Sequence, residues 1–294
     1  MILDRGSGVR LREDSRQRSV SFGQFDPSMT AARGLADFYD ASYRRSGEDG
    51  GQLARWRDFC AGAKAEHVEE LCSRASLRPV RVVEVGCGDG ALLAELSRRS
   101  VAPALAGFDI TAEGIESVQR RQIAGLERAE VFDGRRLPAD DGAFDLGILS
   151  HVVEHLPEPA RVLSEVARVS KAVIVEVPLE QNVSARRAAK RSQAAAIGHL
   201  NFFDREAVAE LANQAGLRLV VELSDPLTLS HHSFFATTSR QRATAALKAA
   251  VRRSVFATSA HVAERLFTVH YACLCVPGGQ REVELSSTRT ARVG

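Results

Sequence analysis

The stretch Val80-Arg81-Val82-Val83-Glu84-Val85-Gly86-Cys87-Gly88-Asp89-Gly90 decides the fold. Its first half is a β-branched run of the kind that forms a buried strand. Glycines then occupy every second position, at Gly86, Gly88 and Gly90. Glycine lets a backbone turn left-handed and approach a ligand with no Cβ in the way. Residues 91–99 follow as an amphipathic helix with Leu92, Leu93 and Leu96 inward. Strand, glycine loop and helix in this order open a doubly wound sheet, whose ligands sit at the carboxyl ends of the strands.

Outward from this stretch the same alternation continues. Apolar runs predict strands at 105–110, 129–132, 144–149, 172–177, 217–223 and 268–276. Helices are predicted at 112–121, 159–169 and 205–215. Pro159 sits suitably in a first turn, Asp204 is a helix cap, and Gly216 is a helix stop. Such alternation means an α/β fold with a parallel sheet covered on both faces. Residues 31–79 predict a helical cap layer, because Leu35, Phe38 and Tyr39, then Leu53, Trp56 and Cys60, then Val68, Leu71 and Cys72 recur at helical spacing. Tyr39, Tyr43 and Trp56 read as core of that layer in preference to a lid. Residues 80–277 form the main domain, with a helical insertion at about 240–265. Residues 1–30 and 278–294 are polar and read as tails.

Composition narrows the function classes. The chain has 294 residues, 45% hydrophobic and 26% charged, with a formal charge of only +2. That suits a soluble globular protein and argues against a dedicated nucleic-acid binder. The five cysteines are scattered without a CxxC pair, so neither a disulfide framework nor a cysteine metal site is expected. Cys273 and Cys275 share one face of a strand as small apolar residues. A reducing, cytoplasmic setting is the simpler expectation. The N-terminal residues lack the apolar centre of a secretory signal, and no run approaches the ~20 apolar residues of a membrane span. His231 and His232 are adjacent, hence on opposite faces of a strand, and no ligand set accompanies them, so no metal is expected. Two basic stretches, Arg186 to Arg191 and Arg240 to Arg265, read as solvated helix faces.

The glycine loop alone fits two ligands. Gly86, Gly88 and Ala91 match the dinucleotide pattern GxGxxA, while Glu84, Gly86, Gly88 and Gly90 match ExGxGxG. Asp109 ends the second strand, placed for ribose hydroxyls in either case. Three features favour S-adenosylmethionine. Glu84, inside the strand, suits a cationic amino-acid ligand better than a pyrophosphate. Asp133-Gly134 ends the third strand, where an acid can accept from an adenine amino group. The segment from Phe144 to Leu156 follows at a characteristic distance.

The pieces VVEVGCGDG, GFDIT, FDGRRLPADDGAFDLGILSHVVEHLPEP, VIVEVP and GHLNFF resemble the class I S-adenosylmethionine-dependent methyltransferases, in the branch of quinone-biosynthesis and natural-product enzymes. The resemblance spans roughly residues 80–224. It implies a Rossmann-like doubly wound seven-stranded sheet, mostly parallel with an antiparallel last strand. It implies that Gly86, Cys87, Gly88 and Gly90 hold the methionine part of the co-substrate, that Asp109 binds the ribose and that Ile110 packs on adenine. By the same resemblance Asp133 and Gly134 meet the adenine amino group, and Ser150 to Val152 line the methyl-transfer site. Methyl transfer from a sulfonium needs positioning above all. A hydroxyl acceptor also needs a base, and His155, His199 and His151 are the candidates. The expected acceptor is a small molecule. The rivals are a lipid or macromolecular acceptor held by the basic insertion, a non-catalytic cofactor-binding protein of the same fold and, more distantly, a nicotinamide dehydrogenase. Oligomeric state is not legible.

Overall fold

The computed structural model describes residues 32–48 and 51–279. The expected tail at 1–30 lies outside the described residues, as does the C-terminal one beyond residue 279. One sheet contains β1 (Arg81–Val85), β2 (Ala104–Asp109), β3 (Leu126–Val131), β4 (Phe144–Ser150), β5 (Ser170–Pro178), β6 (Leu217–Asp225) and β7 (His270–Pro277). Their order is β3-β2-β1-β4-β5-β7-β6. Strands β1 to β5 run parallel, and β7 is antiparallel to both β5 and β6. The strand order reverses at β1, between β2 and β4, so the glycine loop leaves the sheet at its switch point.

The helices are α1 (Ala32–Glu48), α2 (Gln52–Arg74), α3 (Ala91–Arg98), α4 (Ala112–Arg120), α5 (Pro159–Val169), α6 (Ala188–Ala196), α7 (Arg205–Gln214), α8 (Leu229–Ser233), α9 (Ser239–Thr258) and α10 (Ala260–Leu266). Alternation along β1 divides the core in two. Val83 and Val85 join Leu163 and Val166 of α5 and Val208 and Leu211 of α7. Val82 joins Val68 and Leu71 of α2, Leu93 and Leu96 of α3 and Val118 of α4. Each fully buried leucine or valine contributes about 1.5–3 kcal/mol, so both layers are held firmly to the strands. By the same alternation Glu84 points with Val82 to the α2–α3 side, where it is buried. Asp204 caps α7 by accepting from the Ala207 amide at 2.9 Å, and Gly216 ends that helix with φ of 74°.

Several expectations needed correction. Strand β3 starts at Leu126, earlier than its apolar signal, because it is an edge strand carrying Glu127, Arg128 and Glu130. Helix α6 is alanine-rich and buries only Ala194, so it lacks a periodic apolar signal. The insertion is wider than expected and comprises α8, α9 and α10. Arg252 is not on a solvated face: it is buried, stacks over Phe267 with its guanidinium carbon 5.1 Å from the ring centre, and donates to the Thr268 carbonyl at 3.2 Å. Cys273 and Cys275 are both buried, with sulfurs 3.8 Å apart. Among the described residues no helix is long and apolar enough to cross a membrane.

Candidate active site

The ends of β1 and β2 are laced together. Asp109 Oδ2 accepts the Gly88 amide at 2.7 Å, while its Oδ1 accepts the Thr111 amide at 2.9 Å and hydroxyl at 2.6 Å. The amides of Gly86 and Cys87 both donate to the Phe108 carbonyl, and that of Gly90 donates to the Cys87 carbonyl. Four loop amides are therefore taken up within the protein. A dinucleotide loop works the other way, presenting free amides to a pyrophosphate. Gly86 and Gly88 have φ of 77° and 53°, and a Cβ on them would strike Val152 and the Tyr43 hydroxyl. Gly90 lies outside the cavity wall; it starts α3 and packs on Val118.

The charges near the loop also select against an anion. Glu84 is 4% exposed, and its Oε2 has no hydrogen-bond partner among the described residues. Burial pushes its carboxyl up to about 8; Lys64 opposes the shift, while Asp109 and Asp89 reinforce it. Burial likewise raises Asp109, against its bonds from Thr111 and Gly88. Asp89 is held by Arg57 Nε at 2.7 Å and Arg121 at 3.3 Å, which ties α2 and the end of α4 to the loop. A buried carboxyl group with one oxygen unpartnered fits a cationic ligand such as the ammonium and sulfonium of S-adenosylmethionine.

A cavity of about 510 Å³ opens beside the loop. Glu84, Gly86, Cys87, Gly88, Asp109, Ile110 and Gly134 line the end next to the glycine loop, and Ser150, His151, Glu154, His155 and His199 line the other. Burial drives the Cys87 thiol well upward, so it serves as a packing group. Asp133 is exposed and lies off the wall. Its Oδ1 accepts the Arg135 and Arg136 amides at 2.8 and 3.0 Å, making a turn. Tyr39, Tyr43 and Trp56 line the cavity, where the sequence suggested core. Helices α1 and α2 thus form its outer wall.

The three expected histidines meet around Glu154, which is buried on the short turn Val153–His155 after β4. Burial alone would raise Glu154, but the three imidazoles outweigh it and lower its pKa to about 2. His155 Nδ1 lies 3.1 Å from the Gly198 carbonyl and 2.7 Å from the Tyr39 hydroxyl. The Tyr39 hydroxyl also reaches the Ile197 carbonyl at 3.3 Å. Both contacts are met when Tyr39 donates there and the Nδ1 proton is shared between the Gly198 carbonyl and the Tyr39 oxygen, an assignment that leaves the lone pair on Nε2. Burial keeps His155 neutral by lowering its pKa. His199 is the opposite case. Its Nδ1 is 2.6 Å from Glu180 Oε2, and that contact overrides burial and raises its pKa. His151 Nδ1 is 3.2 Å from Glu154 Oε1; its Nε2 is buried with no partner among the described residues, and burial lowers it to about 4.

Other residues of the site were not legible beforehand. Lys64 and His270 line the cavity. Behind them Glu176, buried in the middle of β5, accepts from the Ser150 hydroxyl at 2.8 Å and lies 3.0 Å from His67 Nδ1. The Ser150 side chain is therefore committed to Glu176. A glutamate inside the otherwise apolar run of β5 was the one available signal, since a buried charge needs partners.

Comparison with known proteins agrees with this geometry. Residues 47–222 match the family described as "Methyltransferase domain". The chain is 33% identical over 129 residues to ubiquinone biosynthesis O-methyltransferase of Hahella chejuensis, covering 40% of this chain and 52% of that protein. It is 32% identical over 124 residues to phosphatidylethanolamine N-methyltransferase of Cereibacter sphaeroides, covering 40% and 60%. The chain therefore spans about half the length of these curated relatives. In fold it resembles magnesium protoporphyrin IX methyltransferase from Synechocystis, solved with S-adenosylhomocysteine bound, with a TM-score of 0.52, 12% identity, and coverage of 82% of this chain and 97% of that one. With residues 47–222 inside one family, and a loop whose amides are closed to a pyrophosphate but whose buried acids suit a cation, the chain belongs to the class I S-adenosylmethionine-dependent methyltransferases.

Proposed function

We propose that this protein transfers a methyl group from S-adenosylmethionine to a hydroxyl oxygen of a small molecule, seated at the histidine end of the cavity. The carrying observation is the set of contacts at His155 Nδ1, to the Gly198 carbonyl and the Tyr39 hydroxyl. With the Nδ1 proton assigned to them, a neutral Nε2 is left on a residue lining the cavity. The co-substrate supplies an electrophilic methyl on a good leaving group. Glu84, Gly86, Gly88, Asp109 and Ile110 would hold it, and the wall of Tyr39, Tyr43 and Trp56 would exclude water. His155 would take the acceptor's proton as the oxygen attacks. The nearby Glu154 carboxylate favours the resulting imidazolium. His199, already biased towards its cationic form by Glu180, is a donor or orienting group rather than a base.

The deciding experiment measures S-adenosylhomocysteine release over a panel of phenols, alcohols, amines and carboxylic acids. Turnover confined to hydroxyl acceptors supports the reading; turnover confined to amines, or none with any acceptor, refutes it. His155→Ala is expected to slow a hydroxyl acceptor by about 10²–10⁴-fold.

A lipid acceptor is the second reading, favoured by α9. That helix exposes Leu247 (68%) and Val251 (46%) on the face that also carries Arg240, the mixture that suits an anionic lipid surface. Turnover that requires vesicles would favour it over a freely diffusing acceptor.

A further inference from the structure

Three ligand-bearing side chains from separate parts of the chain converge under the histidine end of the cavity. His151 follows β4, Glu176 lies in β5 and His270 opens β7. Strand register assembles them, because Ser150 pairs with Glu176, and Pro178 of β5 pairs with His270. His151 Nε2 is 3.8 Å from Glu176 Oε1, and His270 Nδ1 is 3.7 Å from the same oxygen. All three ligand atoms lie within 4.8 Å of one another. Both histidines line the cavity.

Each of the first two groups has an outer partner on its far side. The Ser150 hydroxyl binds Glu176 Oε2, which leaves Oε1 for the histidines. Glu154 Oε1 stands 3.2 Å from His151 Nδ1, the nitrogen turned away from Glu176. Metal-binding imidazoles are commonly oriented by a carboxylate on the other ring nitrogen; here Glu154 Oε1 is within ion-pair distance of Nδ1 but does not make a hydrogen bond to it. His67 approaches Glu176 Oε1 at 3.0 Å and is steadied by Asp225 at 3.4 Å; it occupies one lone pair of that oxygen and leaves the second.

Two observations show that this arrangement is more than packing. His151 Nε2 is buried with no hydrogen-bond partner among the described residues, a cost that a native fold rarely leaves unanswered. His151 also has φ of 57°, a left-handed backbone uncommon in non-glycine residues, which aims its ring towards β5 and β7. Carboxylates of Glu176, Glu154 and Asp225 surround the point; the opposing charges are the Lys64 ammonium on the same wall and His67. Burial lowers the His67 pKa, but Asp225 and Glu176 outweigh it and raise it to about 9, so an ion must compete with the His67 imidazolium for Glu176.

We infer that His151 Nε2, Glu176 Oε1 and His270 Nδ1 form a site for one divalent transition-metal ion, with its remaining coordination positions facing the cavity. Two imidazoles and one carboxylate select a borderline ion such as Zn²⁺ or Co²⁺ over Mg²⁺ or Ca²⁺. Bonds of about 2.0–2.1 Å separate ligand atoms by about 3.3 Å, so the site closes on an ion when the two histidine–Glu176 distances of 3.8 and 3.7 Å shorten by about half an ångström and the two imidazoles approach by up to about 1.5 Å. An ion there gives the cavity a Lewis acid able to hold an acceptor oxygen. That role rests on the methyl-transfer reading, whereas the binding itself does not.

The test uses the full chain, stripped with a chelator and titrated with Co²⁺ and with Zn²⁺. Binding is followed by the visible absorption of Co²⁺ and by metal content after desalting. One retained equivalent is expected. His270→Gln and Glu176→Gln should each weaken it by about 100-fold or more, and Ser150→Ala by about 10–100-fold. His232→Ala, away from the site, should leave it unchanged. No retained equivalent in the unsubstituted chain, or one that His270→Gln leaves intact, overturns the inference. Should Glu176→Gln not fold, His270→Gln at the strand end decides alone. Release of S-adenosylhomocysteine is measured separately, so failure of the metal site and failure of methyl transfer are distinguishable.

Discussion

Asp109 at the end of β2 accepts the Gly88 amide at 2.7 Å, and that bond fixes both the shape of the glycine loop and the place of the buried acid beside it. Asp109→Ala frees the amide and removes the group proposed to accept from the ribose. A hydrogen bond to a charged group contributes about 1.5–3 kcal/mol, so S-adenosylmethionine should bind about 10–100-fold more weakly. Titration calorimetry reads this directly, and an affinity within twofold of the parent would detach Asp109 from the cofactor.

Gly88 cannot accept a side chain while Tyr43 is in place. Gly88→Ala adds left-handed strain of about 1–2 kcal/mol and drives a Cβ into the Tyr43 hydroxyl. Tyr43→Phe removes the struck oxygen. The double variant is therefore expected to recover part of the stability lost by Gly88→Ala, with strain remaining. Strictly additive melting temperatures would show that Tyr43 does not rest on the loop.

The Glu84 carboxyl gives a pH signature. Its folded pKa is pushed from 4.5 up to about 8. Between these values the folded chain holds a proton that the unfolded chain has lost, so stability without ligand falls as pH rises through this window. A cationic ligand favours the ionised form. Binding near neutral pH should therefore release a proton, and affinity should climb towards pH 8 and then level off. Calorimetry in buffers of differing ionisation enthalpy measures the proton count. Glu84→Gln should abolish both effects.

Arg252 and Arg253 are neighbours with opposite environments. Arg252→Glu would bury a carboxylate against Phe267 and forfeit the bond to Thr268, at a cost of about 2–3 kcal/mol. Arg253→Glu, on the exposed side of α9, should stay within about 0.5 kcal/mol. Denaturant melts of the two separate the structural arginine from the surface one. Only Arg253 and its exposed neighbours are fair probes of the basic face.

What the sequence disclosed depends on how local the signal was. The glycine loop, the β-branched strands and the Asp204 cap are each written within a few residues, and all stand where expected. The edge strand β3 and helix α6 were blurred because neither buries a periodic apolar face. The two readings of the glycine loop separated only when its amides could be followed to the Phe108 and Cys87 carbonyls and to Asp109. The meeting of His67, Glu176 and His270 was the least legible feature. These residues lie far apart in the chain, and only the pairing of β5 with β7 brings two of them together. Tyr39 and Trp56 were correctly placed on helices, but helical spacing alone does not say whether a ring faces core or cavity.

The position of β7 has a consequence for how this protein comes into being. Among the described residues strand β6 pairs with β7 alone, and β7 separates it from β5. Until residue 277 has been synthesised, β5 keeps an open edge and β6 has no partner in the sheet. Open edges invite wrong pairing in a nascent chain. Because β7 also carries His270, the histidine end of the cavity is completed in the same event that seals the sheet. A chain halted before that point would already hold its glycine loop, yet it would remain sticky and chemically unfinished.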